Sequence, residues 1–259
     1  MEKKILILIL ASNRYPSPLN EYMQKKTWIK EITDKNIEVI FFKSSKVTSL
    51  KGMYLHIKQK NKTIFGIKER TISALDWCIQ NKDFDFILRM NSSSYINIEN
   101  LKKFINNMNN EYIYAGREML FNNDKFVSGA GIILNRKSVN LILKNKNLLE
   151  NNFLDDVAIG KLFKNKNIDI YPGDFQYFSK NIYKEDIQPE HYQYRCNSYY
   201  FGYPRFLEPI IMKKIDKTLN GISNTTIDYF LMILIYIMKF LNFNYFFLRY
   251  IKKSNRVQR

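Results

Sequence analysis

Short apolar runs alternate with amphipathic stretches along most of the chain, and this alternation predicts an α/β fold. Residues 5–10 are six apolar side chains in succession, a pattern typical of a strand that is buried on both faces of a parallel sheet. Similar short runs at residues 39–42 and 84–88 predict neighbouring strands. Apolar residues recur at helical spacing in four intervening stretches, residues 20–33, 68–81, 98–109 and 138–149.

The second half of the predicted domain continues this alternation. Residues 112–116, 126–134 and 168–172 are predicted strands, and Gly129 and Gly131 indicate a close backbone approach at the start of the middle one. A helix is predicted over residues 157–163, directly after two aspartates.

The C-terminal segment has a different composition, which divides the chain into a domain of residues 1–221 and a tail of residues 222–259. Residues 229–238 are ten apolar side chains without a break, fewer than the roughly 20 that span a bilayer. Basic residues follow, with no acid after Asp228. We expect a hydrophobic, basic helical tail that lies on an anionic membrane surface. The alternative is a terminal helix packed on the core or on a second subunit.

Charge narrows the class of partner. The formal net charge is +17, so the protein should attract anions such as a phosphate-bearing substrate, a membrane surface or nucleic acid. Six of the positive residues lie in the tail from Lys239 onward, and the sequence contains no helix-turn-helix, zinc or RNA-binding motif, which disfavours nucleic acid. The chain contains two cysteines, Cys78 and Cys196, which are too few for a disulfide framework. This cysteine content is typical of a protein in a reducing compartment.

Polar residues at the predicted strand ends are the first candidates for chemistry. Asn91, Ser92, Ser93 and Ser94 end the third strand abruptly, and ligands of open α/β sheets bind beyond the carboxyl ends of strands. An ordinary turn is the alternative reading, because Asn and Ser are common turn residues. Arg14 follows the first strand as either a phosphate ligand or a solvated side chain.

Two adjacent carboxylates, Asp155 and Asp156, are the second candidate. At the start of a predicted helix they fit an N-terminal cap that also interacts with the helix dipole. The functional alternative is a general base at the rim of a pocket.

Five motifs in register resemble the fringe and β1,3-galactosyltransferase family of nucleotide-sugar-dependent glycosyltransferases. The resemblance covers residues 5–215 and rests on segments that are similar to family patterns: Lys25-Lys26-Thr27-Trp28, Arg70-Thr71 through Trp77, Leu88 to Asn97, Ser128-Gly129-Ala130-Gly131, and Asp155-Asp156-Val157 with Gly160.

This resemblance implies a GT-A-type (Rossmann-like) mixed sheet flanked by helices, and inverting transfer of a hexose from a UDP-sugar to a glycan or lipid-linked acceptor. We expect no tightly bound cofactor, and the UDP-sugar would bind as the donor substrate. Asp156 would be the base that deprotonates the acceptor hydroxyl. The remaining implied positions are Ser12, Arg14 and Arg70 near the nucleotide, Asn91, Ser92 and Ser93 at the diphosphate and donor sugar, and Asp155, Gly129 and His191 at the substrate.

The turn at Asn91 departs from the family, which carries an aspartate cluster there for a divalent metal. Uncharged Asn91, Ser92 and Ser93 are poor ligands for Mn²⁺ or Mg²⁺, which prefer carboxylate oxygens. We therefore predict a metal-independent enzyme with no metal-ligating residues. Its diphosphate would be neutralised by Arg14, Arg70, Arg89 or a lysine of residues 43–68.

Two other functions remain open at this stage. One is a catalytically inactive relative that binds a sugar or nucleotide, and the other is a basic nucleic-acid-binding protein. The tyrosine-rich residues 171–203 are a candidate acceptor site, although packing is the commoner use of tyrosine. The absence of an N-terminal anchor favours a cytoplasmic enzyme that is peripheral on the inner face of the cell membrane.

Overall fold

The structure is a computed structural model that describes residues 2–59, 66–150, 152–177, 187–196 and 205–222. The predicted tail lies outside the described residues from position 223 onward. Among the described residues, no helix is long and apolar enough to cross a bilayer.

A mixed sheet of eight strands forms the centre, in the order β3-β4-β2-β1-β5-β8-β7-β9. These strands are β1 (Ile5–Leu10), β2 (Ile37–Ser45), β3 (Ser49–Lys51), β4 (Tyr54–Lys58), β5 (Phe86–Asn91), β7 (Tyr114–Phe121), β8 (Asp124–Asn135) and β9 (Tyr171–Pro172). A smaller sheet, in the order β10-β11-β6, contains β6 (Ser94–Ile96), β10 (Phe175–Tyr177) and β11 (Gln193–Arg195).

Strand β1 lies between β2 and β5 and runs parallel to both, with Leu10 paired to Phe42 and to Asn91. Its position explains why six consecutive apolar residues are needed. Ile5, Ile7 and Ile9 belong to the core on one face of the sheet, whereas Leu6 and Leu8 belong to the core on the other. The prediction of a central strand buried on both faces is confirmed.

In the described part of the chain, six helices cover the two faces of the large sheet: α1 (Ser17–Lys26), α2 (Ile67–Asn81), α3 (Ile98–Asn106), α4 (Arg136–Lys144), α5 (Asp155–Asn165) and α6 (Glu208–Leu219). Side chains of α3 and α6, such as Leu101 and Met212, join the core that contains Ile7. Side chains of α2, α4 and α5 join the opposite core with Leu8. The predicted α/β class with flanking helices is confirmed.

The described part of the basic stretch of residues 43–70 contains regular secondary structure that its charge does not indicate. It contains β3 and β4, and Leu55 and Ile57 of β4 are fully buried against α2. Tyr54, His56 and Lys58 alternate with these two residues and are more exposed, so β4 has one buried face and one polar face. The predicted helix over residues 20–33 is also different: α1 ends at Lys26 and a short 3₁₀ turn, Trp28–Glu31, follows.

Tyrosines of the predicted acceptor segment divide into two groups. Tyr192 and Tyr194 are completely buried, with Tyr192 stacked on Phe104 and Tyr194 edge-on to Tyr95. These two rings pack the small sheet against the core, so the packing alternative holds for them. Tyr183, Tyr199, Tyr200 and Tyr203 lie outside the described residues.

Candidate active site

The N-terminal turns of α2 and α5 meet at the carboxyl end of β5. Parallel strands β1 and β5 end at the same edge of the sheet, and β8 runs antiparallel beside β5 with Met90 opposite Gly131. This pairing brings the glycine-rich segment of β8 alongside the turn that follows β5. Side chains of β5, α2 and α5 and the backbone of β8 converge there, which is the location at which open α/β sheets bind ligands.

Arg89 of β5 is at the centre of this convergence and is only 2% exposed. Its Nη2 forms an ion pair of 2.6 Å with Asp155 Oδ2. Its Nη1 donates to Asn91 Oδ1 at 3.0 Å and to the carbonyl oxygen of Gly129. A buried guanidinium requires such partners, because a charge left unpaired in the interior is very costly.

Asp155 completes the buried pair from the first turn of α5. It is 3% exposed, and its Oδ2 also accepts a hydrogen bond of 2.6 Å from the Thr71 hydroxyl of α2. The N-cap of α5 is Leu154, which has no side-chain capping bond. The capping alternative therefore does not describe Asp155, since its carboxylate binds two residues of other elements.

Asp156 occupies the next position on α5 and is half-buried. Its Oδ2 accepts from the Gly129 backbone N–H and its Oδ1 from the Val157 N–H, both at 2.9 Å. Burial, followed by repulsion from Asp155, raises the pKa of Asp156, while the Gly129 hydrogen bond and Arg89 partly oppose the rise. A carboxylate with a raised pKa is a stronger proton acceptor than an ordinary aspartate.

Gly129 is confined by both charged neighbours. A Cβ atom at this position would lie 2.9 Å from Asp156 Oδ2 and 3.0 Å from Arg89 Nη1. Both distances are shorter than ordinary van der Waals contacts, so a side chain here would displace the carboxylate or the guanidinium. The glycine thus allows the backbone of β8 to hold Asp156 with its N–H and Arg89 with its carbonyl.

The polar turn after β5 differs from residue to residue. Asn91 is half-buried, whereas Ser92 and Ser93 are 7% and 2% exposed. The Ser93 carbonyl accepts from the Cys196 N–H, which ties the turn to the small sheet. Asn91 and Asp156 are connected through two residues, because Arg89 contacts Asn91 and Gly129, and Gly129 contacts Asp156.

The predicted nucleotide ligands lie around the same edge. Ser12 follows β1, its backbone N–H donates to the Ser17 hydroxyl, and its own hydroxyl accepts from the N–H of exposed Arg14. Arg70 of α2 is 6% exposed and donates from Nε to Gln59 Oε1 at 2.9 Å. Burial lowers the pKa of Arg70, and attraction to Asp155 opposes that shift.

His191 is not brought into this group. Its Nε2 lies 2.7 Å from Gln188 Oε1, and its Nδ1 lies 3.6 Å from an Asp174 carboxylate oxygen. Strand β11 pairs with β6 so that Arg195 is opposite Ser94 and Gln193 is opposite Ile96. His191 therefore lies beyond the end of β11 that is farther from the turn at Asn91.

Two contacting residues were not predicted as site residues. Thr71 holds Asp155, and Gln193 donates from Nε2 to the Ala130 carbonyl at 2.6 Å and to the Ser94 hydroxyl at 3.2 Å. The Arg70-Thr71 motif offered a signal for Thr71, whereas Gln193 is an isolated polar residue that only the packing of the two sheets reveals.

A separate cavity of about 620 Å³ lies toward the other end of α5. Lys125, Lys164 and Asp169 are among its lining residues, and the predicted site residues are not. In the described ranges, no three His, Cys, Asp or Glu side chains converge as a metal-ion site.

Comparisons with known proteins identify the fold. No protein-family model matches the chain, and no curated protein matches it. A glycosyltransferase involved in the glycosylation of the major capsid of PBCV-1 matches with a TM-score of 0.52 at 10% identity, over 81% of this chain and 98% of that chain. Galactosyltransferase LgtC, in complex with donor and acceptor sugar analogs, matches with a TM-score of 0.50 at 9% identity. This match covers 88% of this chain and 99% of that chain.

These similarities, at 10% identity or less, concern the fold, and they confirm the predicted GT-A-type architecture. The closer resemblance to the fringe-like family stays a prediction.

Replacing Asp155 with alanine should destabilise the protein by about 3–5 kcal/mol, because it leaves the buried Arg89 charge unpaired. The control is Glu111→Ala, which breaks an exposed ion pair with Lys137 and should cost at most about 1 kcal/mol. Urea denaturation of both variants measures the free energy of unfolding. Equal losses in the two variants would contradict the assigned importance of the buried pair.

Proposed function

We propose that this protein is a glycosyltransferase that transfers a hexose from a UDP-sugar to a hydroxyl group of a glycan or lipid-linked saccharide, with inversion. The observation that carries the proposal is the Asp156 carboxylate at the carboxyl end of the central strands. This side chain is half-buried and accepts hydrogen bonds from two backbone N–H groups, and its pKa is raised. The GT-A-type fold makes sugar transfer the reaction class that best fits such a base.

In the proposed reaction, Asp156 accepts the proton of the acceptor hydroxyl while the oxygen of that hydroxyl attacks the anomeric carbon. The bond from the anomeric carbon to the diphosphate oxygen breaks, and the nucleoside diphosphate leaves with the electron pair. Single displacement on the face opposite the leaving group gives inversion. Asp156 needs to be ionised for this step, and the pocket needs positive charge or N–H donors at the departing diphosphate.

Basic side chains near the strand ends support the second requirement. Arg14 is exposed beside the end of β1, and Lys43 of β2 donates to Asn13 in the same loop. Arg70 and Arg89 are buried and bind protein groups, so they contribute chiefly through their fields. We propose that these cations and the uncharged turn at Asn91 act without a divalent metal.

Asp156→Asn should lower turnover by about 10²–10⁴-fold while UDP binding is retained, because an amide cannot accept the proton. Steady-state kinetics and calorimetry with UDP measure the two quantities. In the unmodified protein, kcat/KM should fall on the acid side at a pH above the ordinary pKa of an aspartate, since the pKa of Asp156 is raised and only the ionised form is a base.

The matched control is Asp169→Asn, an exposed aspartate that lines the separate cavity. Its turnover should equal that of the unmodified protein. A reversed result, with activity lost in Asp169→Asn and kept in Asp156→Asn, would move the active site to that cavity. UDP binding without turnover, in both the unmodified protein and Asp156→Asn, would instead indicate the non-catalytic relative.

Metal independence has its own test. Turnover in excess chelator should stay within about twofold of turnover with added Mn²⁺, because neutral amide and hydroxyl groups at the turn give a divalent cation no carboxylate to bind. Loss of activity with chelator, and its return with manganese, would contradict this part of the proposal.

We also propose that the protein acts at a membrane through residues 222–259. The support is the sequence of this segment, whose apolar run is followed by basic residues. Deleting the chain after Ser223 should abolish co-sedimentation with vesicles that contain anionic lipid, and neutral vesicles should bind the full chain more weakly. Unchanged sedimentation of the shortened protein would refute this assignment.

A further inference from the structure

The side-chain amide of Asn91 has a fixed orientation. Arg89 Nη1 lies 3.0 Å from the Asn91 side chain. A guanidinium has only N–H donors, so the atom that it faces must be the amide oxygen, and the amide nitrogen points elsewhere. The chemistry of the contact therefore determines the assignment of oxygen and nitrogen.

Arg89 cannot follow a rotation of Asn91. Its Nη2 is paired with Asp155 at 2.6 Å, and Asp155 is in turn held by the Thr71 hydroxyl. The guanidinium is 2% exposed and also donates to the Gly129 carbonyl. Turning the amide over would place two sets of N–H donors against each other, so the buried network maintains one orientation.

The amide nitrogen of Asn91 is accessible to a ligand. Among the described residues it has no hydrogen-bond acceptor, yet it is not one of the buried side-chain atoms that lack a partner, so it reaches the surface of this half-buried residue. Ser92 and Ser93 are 7% and 2% exposed and offer far less surface. Among Asn91, Ser92 and Ser93, Asn91 is thus the residue that presents N–H donors at the end of β5.

We propose that Asn91 Nδ2 donates hydrogen bonds directly to an oxygen of the donor's diphosphate, at the position where a carboxylate would otherwise bind a metal. This inference rests on the proposed function and deepens it by assigning the ligand class of one side chain. Two N–H groups can donate to an anionic oxygen, and they offer no lone pair to a cation.

Asn91→Asp is the sharpest test, because aspartate is nearly the same size and still accepts the hydrogen bond from Arg89. It removes both donors and adds a negative charge beside the diphosphate. Without metal, UDP should bind about 10- to 100-fold more weakly, the loss expected for a hydrogen bond to a charged group. Asn91→Ala removes the donors without adding charge, so its affinity should lie between those of the unmodified protein and Asn91→Asp.

The control is Asn97→Asp, the same chemical change six residues later. Asn97 caps α3 by accepting from the Asn100 N–H, and aspartate caps equally well. Its affinity for UDP should be unchanged. Thermal melting of all four proteins shows whether they are folded.

Calorimetry with UDP in excess chelator tests the proposed function and the Asn91 contact separately. If the unmodified protein binds none of UDP, GDP, CDP or ADP, the proposed function itself fails, and this inference fails with it. If the unmodified protein binds UDP and Asn91→Asp binds within twofold of it, the inference alone is overturned. The expected order of affinity is unmodified protein, Asn91→Ala, then Asn91→Asp.

Discussion

The ion pair between Arg89 and Asp155 is the interaction on which the edge of the sheet depends. Both side chains are almost completely buried, and their charged atoms are 2.6 Å apart. A pair of this kind contributes little net stability when it forms, but removing one partner is costly because the other charge remains buried. Through its hydrogen bonds, the pair connects β5 to α5, α2 and β8 at one point.

This network gives two adjacent aspartates different properties. Asp155 forms an ion pair with Arg89 and accepts a hydrogen bond from Thr71, so it acts as a structural anchor. Asp156 is the next residue of the same helix, and two backbone N–H groups hold its carboxylate. Among the described residues, it has no cationic partner in direct contact. Burial and the nearby Asp155 therefore raise the pKa of Asp156. The anchor fixes the position of the proposed base and also makes it more basic.

The hydrophobic pattern was sufficient to predict the central strands. The apolar run that begins at Ile5 indicates a strand buried on both faces of the sheet. The helical spacing of apolar residues in α2 indicates a helix with one face packed on the core. The same reasoning fails for β3 and β4, because two strands of three and five residues within a lysine-rich stretch resemble a solvated segment in sequence. Elements that are defined by pairing at an edge have little local signal.

Individual site residues were predictable only in part. The structure brings Asp156, Gly129, Asn91 and Arg89 together, as strand ends and a helix start had indicated. Sequence could not show that Arg89 is directed inward, because an arginine in an apolar run can also turn toward solvent. It could not connect Gln193 to Ala130 either, since that contact joins two sheets across 63 positions of sequence.

Residues 89 and 91 lie on the same side of β5, so the chemistry of one constrains the other. If residue 91 were an aspartate, the guanidinium of Arg89 would bind its carboxylate and reduce the negative charge available to a metal ion. With asparagine, the same guanidinium donates to the neutral amide oxygen, and the two N–H groups of the Asn91 amide are not engaged by Arg89. The buried arginine beneath the strand end therefore fits the amide that we propose as a donor to the diphosphate.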